Sequence, residues 1–333
     1  MGDIALAGVA SSAILVALNI AFLVFAGWGL NGFFAANVAS QMLPALWLAW
    51  RMRGELLAPV QEGNTGLFSR MVRYSLPLAT ATIGWWLIGT SDRYIVLAFC
   101  GVDANGMYSI AYRIPSIIST VASIFIQAWQ VSAVKEFDSK DSDGFLRRTY
   151  SSVEALVAML CSILIPLSPV IAMVMFSGEF YGAWVYVPLL LVYAALNATG
   201  GLWAPFFSAS YDPMSMAYST FFAGAVNVVL AFPLVAAFGV QGACISSVLA
   251  GLANWGFRAI RVRRHIEVDF GTRRSLVLYA VLTIQAFVMS AGFPCAATFA
   301  VEAVCISLIL LACRRGIRQG VSALAEVLRE RRQ

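Results

Sequence analysis

Charge is what this chain has least of. Asp, Glu, Lys and Arg make up 12% of 333 residues and hydrophobic residues 60%, whereas soluble domains carry roughly 25% charge. Histidine is nearly missing: His265 is the only one, which argues against zinc chemistry built on imidazole. The six cysteines, Cys100, Cys161, Cys244, Cys295, Cys305 and Cys313, form no CxxC pair and fall in or beside apolar runs, so small buried hydrophobes are expected rather than disulfides or metal ligands. No Walker A sequence occurs. Gly27-Trp28-Gly29-Leu30-Asn31-Gly32 spells GxGxxG, yet no strand precedes it and no βαβ unit surrounds it, so it reads as a helix-to-helix turn. No cofactor, metal, nucleic-acid partner or enzymatic activity is expected.

What the chain does have is long apolar runs. Hydropathy predicts an all-α polytopic membrane protein of about ten transmembrane helices, each run near the ~20 residues that cross a bilayer. The spans are Ile4–Phe25, Asn31–Trp50, Leu76–Phe99, Met107–Val131, Tyr150–Phe176, Val185–Ala209, Ala217–Phe238, Gln241–Phe257, Ser275–Phe293 and Ala296–Ala312. The first run is too long, and its start too poor in basic residues, for a cleaved signal peptide.

Charge sets the orientation. Of 22 Lys and Arg, four lie between Arg51 and Arg73, four between Lys135 and Arg148, six between Arg258 and Arg274, and six between Arg314 and Arg332. All of these fall on one side of the predicted spans. Cytoplasmic loops hold the basic excess, so both termini are expected in the cytoplasm. The net charge of +5 then reports topology and contact with anionic lipid, and membrane lipid is an expected partner.

Two hairpins look alike. Ala17-Leu18-Asn19-Ile20 resembles Ala225-Val226-Asn227-Val228, and Gly29-Leu30-Asn31-Gly32 resembles Gly239-Val240-Gln241-Gly242. Parallel repeats of this kind are related by an axis along the membrane normal. The domain layout expected from them is 1–50 as the last two helices of an otherwise missing N-terminal lobe and 51–73 as a cytoplasmic linker. A six-helix lobe follows at 74–260, then a basic loop at 261–274, an extra helix pair at 275–313 and a basic tail at 314–333. On this reading the chain looks truncated at its N-terminus.

The fourth span carries a polar stripe. Ser109, Tyr112, Arg113, Ser116, Ser119, Thr120, Ser123, Gln127 and Gln130 fall within an arc of roughly 120° at 3.6 residues per turn. Tyr112, Ser116, Ser119, Thr120, Ser123 and Gln127, with Trp85 and Trp86 before them, are the expected cavity-lining residues; Tyr108 and Trp203 are further candidates for stacking on sugar rings. Only Arg93 and Arg113 lie within the predicted spans as cations, and each needs water or a partner there. Asp92, Arg93 and Arg113 stand at similar depth on either side of the turn near Asp103, so one carboxylate faces two guanidiniums. The surplus positive charge suits an anion such as diphosphate; a structural Asp92–Arg113 ion pair is the other reading. Glu154 is expected to be hydrated near the cytoplasmic surface, and Glu302, inside the last span, to be protonated or paired across a helix interface.

Tyr74-Ser75-Leu76-Pro77, Ser91-Asp92-Arg93-Tyr94 and Gly106-Met107-Tyr108-Ser109-Ile110-Ala111-Tyr112-Arg113 resemble the polysaccharide biosynthesis flippases. These belong to the multidrug/oligosaccharidyl-lipid/polysaccharide exporter superfamily. Phe180-Tyr181 and Val187-Pro188-Leu189-Leu190-Leu191 are similar to that family's outer turn and following helix. The resemblance implies two lobes around a central cavity, with Arg113 matching a cavity-facing arginine. It implies export of O-antigen or exopolysaccharide repeat units carried on undecaprenyl diphosphate, a lipid-linked oligosaccharide, across the bacterial inner (plasma) membrane. Other polysaccharide-assembly membrane proteins are implied partners. A multidrug and toxin extrusion antiporter of the same superfamily, a membrane glycosyltransferase or polymerase, and an inactive truncated fragment are the alternatives.

Overall fold

The computed structural model describes residues 2–56, 65–135, 141, 144–176, 178–210, 212–264, 270–292 and 295–330, with some side chains inside these ranges left undescribed. Every regular element among the described residues is helical. The chain divides into two compact units, Met1–Ser69 and Arg70–Gln333, and each is taken by itself.

The first unit is a helical hairpin. Helix α1 (Gly2–Asn19) runs into a π-helical turn at Ile20–Phe25, and α2 (Gly29–Arg51) returns along it, followed by the short α3 (Arg53–Leu56). The buried residues of α2 are Gly32, Ala36, Ser40 and Pro44. Their spacing of four puts them in one row, and small side chains let two helices approach closely where lipid offers no hydrophobic drive.

The second unit holds α4 (Thr65–Ala111) from Arg70 onward, α5 (Arg113–Lys135), α6 (Phe145–Met175), α7 (Val187–Gly201), α8 (Ala204–Ala209), α9 (Pro213–Phe238), α10 (Val240–Val262), α11 (Thr272–Ser290) and α12 (Cys295–Glu330). A 3-10 stretch, Gly178–Tyr186, leads into α7. Gly101 breaks α4 with φ 86° and ψ −178°, a conformation essentially reserved for glycine. The expected turn therefore lies at Gly101, two residues before Asp103. The helix is interrupted again at Tyr112, between α4 and α5, where Pro115 has no N–H to give the Ala111 carbonyl.

Helix α7 is the centre of this unit. Nearly every side chain from Val187 to Gly200 is buried, and α5, α6, α10 and α11 pack around it. An uninterrupted apolar sequence, Val187-Pro188-Leu189-Leu190-Leu191-Val192, suits a helix with protein on every side. The expected span Val185–Ala209 is broken at Leu202 and Trp203, where Pro205 cannot continue the hydrogen-bond ladder. Helices α9 and α10 form a close hairpin, and α12 lies along α6 with α11 beside both α6 and α7.

Six described helices are long and apolar enough to cross a membrane: Leu6–Phe25, Gly89–Ala111, Phe145–Met175, Gly178–Ala209, Met214–Phe238 and Val240–Val262. The other four expected spans fall on α2, α5, α11 and α12. The fold is an all-α, multi-pass membrane protein, as the apolar runs predict.

The two similar turns have two local features in common. Gly29 and Gly239 both take positive φ, 56° and 59°, and the glycine three residues later is crowded in both hairpins, more severely in the second. A Cβ on Gly32 would stand 3.0 Å from the Cβ atoms of Phe22 and Trp28, and one on Gly242 would stand 2.0 Å from the Leu234 carbonyl oxygen.

Candidate functional site

A cavity of about 450 Å³ lies between α4, α5, α7, α9 and α10. Its wall is mostly apolar, with Tyr112, Ser119, Ser123, Asn197 and Arg258 as polar points. Such sparse polar groups on an apolar wall are the usual make-up of a ligand cleft. Helix α5 serves this cavity with one of its faces. Ile114, Ile118 and Trp129 are buried, whereas Ser119 and Ser123 open onto the cavity. The hydroxyls along the stripe bond back to their own helix, Ser116 to the Arg113 carbonyl (2.6 Å), Thr120 to Ser116 (2.8 Å) and Ser123 to Thr120 (2.7 Å). A polar face is thereby kept without unsatisfied donors.

Arg258 is the main feature that hydropathy missed. It lies in α10 beyond Phe257, where the span was expected to end, and is only 1% exposed. Its Nε donates to Ser219 Oγ (2.9 Å), Nη2 to Thr220 Oγ1 (3.1 Å) and Nη1 to the Gly200 carbonyl (3.0 Å). Gly200 is in the last turn of α7, whose terminal carbonyls lack intrahelical donors and carry the negative end of the helix dipole. All three partners are neutral; no carboxylate pairs with this guanidinium among the described residues. Of its five N–H donors, three are used, which leaves two.

The expected anion cluster is not assembled as one group. Asp92 is buried at 2% exposure, and its Oδ2 accepts from Ser247 (2.6 Å), Tyr108 (3.2 Å) and Asn227 (3.4 Å). These bonds tie α4 to α9 and α10. Among the described residues neither Arg93 nor Arg113 pairs with it, and both are exposed and outside the cavity wall. Helix geometry explains the separation. Consecutive residues such as Asp92 and Arg93 point about 100° apart, and Arg113 stands roughly 140° around the helix from Tyr108, which faces Asp92.

Of the expected cavity residues, Tyr112, Ser119 and Ser123 line the wall, while Ser116, Thr120 and Gln127 are exposed outside it. Trp86 is 61% exposed, and the Trp85 side chain lies outside the described residues. Sugar stacking by Tyr108 or Trp203 is overturned by burial: Tyr108 is 2% exposed and Trp203 0%. Trp203 packs against Tyr150 at 4.4 Å and Phe270 at 4.8 Å between ring centroids.

Two buried carboxylates turn out to be structural joints. Glu154 is not hydrated: it is 0% exposed, pairs with Arg274 at 2.6 Å and accepts from Tyr150 (3.4 Å) and Tyr279 (3.5 Å). Glu302 accepts from Gln285 Nε2 (2.6 Å), which also bonds the Ser162 carbonyl (2.9 Å). The second knot pins α12 and α11 to α6, the interface role that Glu302's place in the last span allowed for.

Next to the cavity lies a smaller apolar groove of about 140 Å³, lined by Val121, Phe125, Leu156 and Leu160 among others. Ala122, Ile126 and Ala198 belong to both walls.

Neither a curated protein sequence nor a solved structure matches this chain. A family described as polysaccharide biosynthesis protein matches residues 2–183, more than half of the chain. The chain is a multi-pass membrane protein that belongs to the polysaccharide biosynthesis protein family.

Proposed function

We propose that this chain is a flippase, one that moves lipid-linked oligosaccharide repeat units, carried on undecaprenyl diphosphate, across the inner membrane. The observation that carries the reading is Arg258. A guanidinium held inside a membrane lobe by neutral partners keeps its full positive charge, and such a residue marks a substrate path by default. It faces a cavity beside Tyr112, Ser119, Ser123 and Asn197, groups able to bond phosphate and sugar hydroxyls. The adjoining apolar groove supports the same division of labour, with the charged head in the cavity and the isoprenoid tail on the lipid side of Ala122 and Ile126. Family membership supports the pathway, and no covalent step is required. A cation-extruding antiporter would want carboxylates on the wall, and the described lining residues include none. The positive φ at Gly29 and Gly239 supports reading α1–α2 as the counterpart of α9–α10 in the other lobe.

Arg258→Met and Arg258→Lys, in cells relying on the natural protein for polysaccharide export, test the reading. Losing two charge-assisted hydrogen bonds to a phosphate, each ~1.5–3 kcal/mol, predicts that Arg258→Met cuts export at least tenfold at equal membrane abundance. Lys keeps the charge without the fork and retains part of it. Normal export by Arg258→Met at equal abundance overturns the assignment.

A further inference from the structure

A second cavity, of about 550 Å³, opens where the amino ends of α6 and α11 meet α12. Arg147, Arg148, Arg274 and Arg314 line it, with Ser151, and no carboxylate is among its described lining residues. Two of the guanidiniums are pre-set. Arg274 is held by Glu154 at 2.6 Å and by Ser151 Oγ at 2.9 Å, and its Nε has no partner. Arg148 Nε donates to the Gly144 carbonyl at 3.0 Å. The amino end of α6 is already capped, since the Asp141 carboxylate accepts from Leu146 N (2.9 Å) and Arg147 N (3.0 Å). At α6, then, the pull on an anion comes from the arginines rather than from the helix end.

The rest of the wall is apolar: Phe270, Leu311 and Ala312. Leu308, Leu310 and Leu311 are exposed at 48%, 45% and 63% along α12, the pattern of a helix face that meets acyl chains. An arginine collar thus sits at the membrane-surface end of a greasy strip. Free phosphate has no use for the strip, and an acidic peptide has no use for its position at the helix ends. A basic pocket between transmembrane helices on the cytoplasmic side is what a phospholipid headgroup fits.

We propose that this cavity binds an anionic phospholipid, its phosphate diester among Arg147, Arg274 and Arg314 and its acyl chains along the exposed leucines of α12. The site is separate from the cavity at Arg258 and does not depend on the flippase reading. The bound lipid bridges α6, α11 and α12 at their cytoplasmic ends.

Three proteins, purified in neutral detergent, test this: the parent, the double variant Arg147→Gln/Arg314→Gln, and Arg264→Gln as a control basic residue outside the cavity wall. Each is titrated with phosphatidylglycerol, phosphatidylcholine or inorganic phosphate, and retained lipid is read by native mass spectrometry alongside the thermal midpoint. The expected result is phosphatidylglycerol retention and a raised midpoint for the parent and Arg264→Gln. The double variant binds about tenfold or more weakly, the scale set by two charges at a membrane surface, and phosphatidylcholine gives no shift in any of them. Equal retention by parent and double variant overturns the site. An equal loss in Arg264→Gln reduces it to general surface charge, and a midpoint shift from inorganic phosphate alone matching that from phosphatidylglycerol overturns the lipid in favour of a free anion.

Discussion

Whether Asp92 acts through its charge or only through its oxygen is decided by two substitutions at one position. In the structure a single oxygen, Oδ2, accepts three bonds, while Oδ1 has no partner. Asp92→Asn can place its carbonyl oxygen where Oδ2 stands and leave its NH₂ in the unpartnered position. The three donors keep an acceptor, and the burial penalty on a charge disappears. Asp92→Ala instead strands the hydroxyls of Tyr108 and Ser247 and the amide of Asn227. A buried donor left without a partner costs about 1–3 kcal/mol. The hydroxyls can swing to other acceptors, so the sum is discounted to roughly 2–5 kcal/mol. Thermal unfolding of the purified protein in detergent, followed with a thiol-reactive dye on its buried cysteines, should put the parent and Asn forms within a degree or so of each other. The Ala form should melt several degrees lower. An Asn form as unstable as the Ala form would refute the hydroxyl cage and restore an ion pair with Arg93 or Arg113.

Other expectations follow from the same contacts. Gly242→Ala puts a Cβ against Leu234 backbone atoms at 2.0–2.2 Å, an overpacking that costs ~1–3 kcal/mol or more; Gly256→Ala, with nothing within 4 Å, is neutral or stabilising in the same melt. Glu302→Gln keeps an acceptor for Gln285 and leaves stability near the parent's, whereas Glu302→Ala frees α12, read as faster proteolysis after residue 295. Glu154→Ala breaks its ion pair; stranding one charge of a fully buried pair costs about 3–5 kcal/mol, and because Arg274 is 27% exposed the expected loss is nearer ~2 kcal/mol. Cysteines placed at either terminus of the natural chain are expected to react with impermeant reagents only after the cytoplasmic side is opened.

Much of the fold was readable because apolar runs and glycine turns are local signals. Gly239 and Gly242 mark a hairpin whose geometry the structure shows directly, and the stripe from Tyr112 to Ser123 reached the cavity in part. The site's central cation was not found, because hydropathy assigns the first arginine after an apolar run to the loop. A periodicity test held the missing clue. Ser247, Gly251, Asn254 and Arg258 recur at helical spacing, and all four are buried, so the face that carries Arg258 turns inward. Asp92 and Glu154 were misjudged for another reason. Their partners lie far along the chain, Ser247 for one and Arg274 for the other, and no local pattern records a contact made across 120 residues or more.

A rod gripped on all sides cannot bend in its middle without prying apart everything that grips it. Helix α7 is such a rod, so any rocking that the proposed transport requires has to be absorbed at its ends. On one end is the 3-10 lead-in Gly178–Tyr186, and on the other the step at Leu202 and Trp203. The carbonyl that Arg258 grips, that of Gly200, stands two residues before the second of these joints. Cargo that draws the guanidinium toward itself would thereby tug on the hinge.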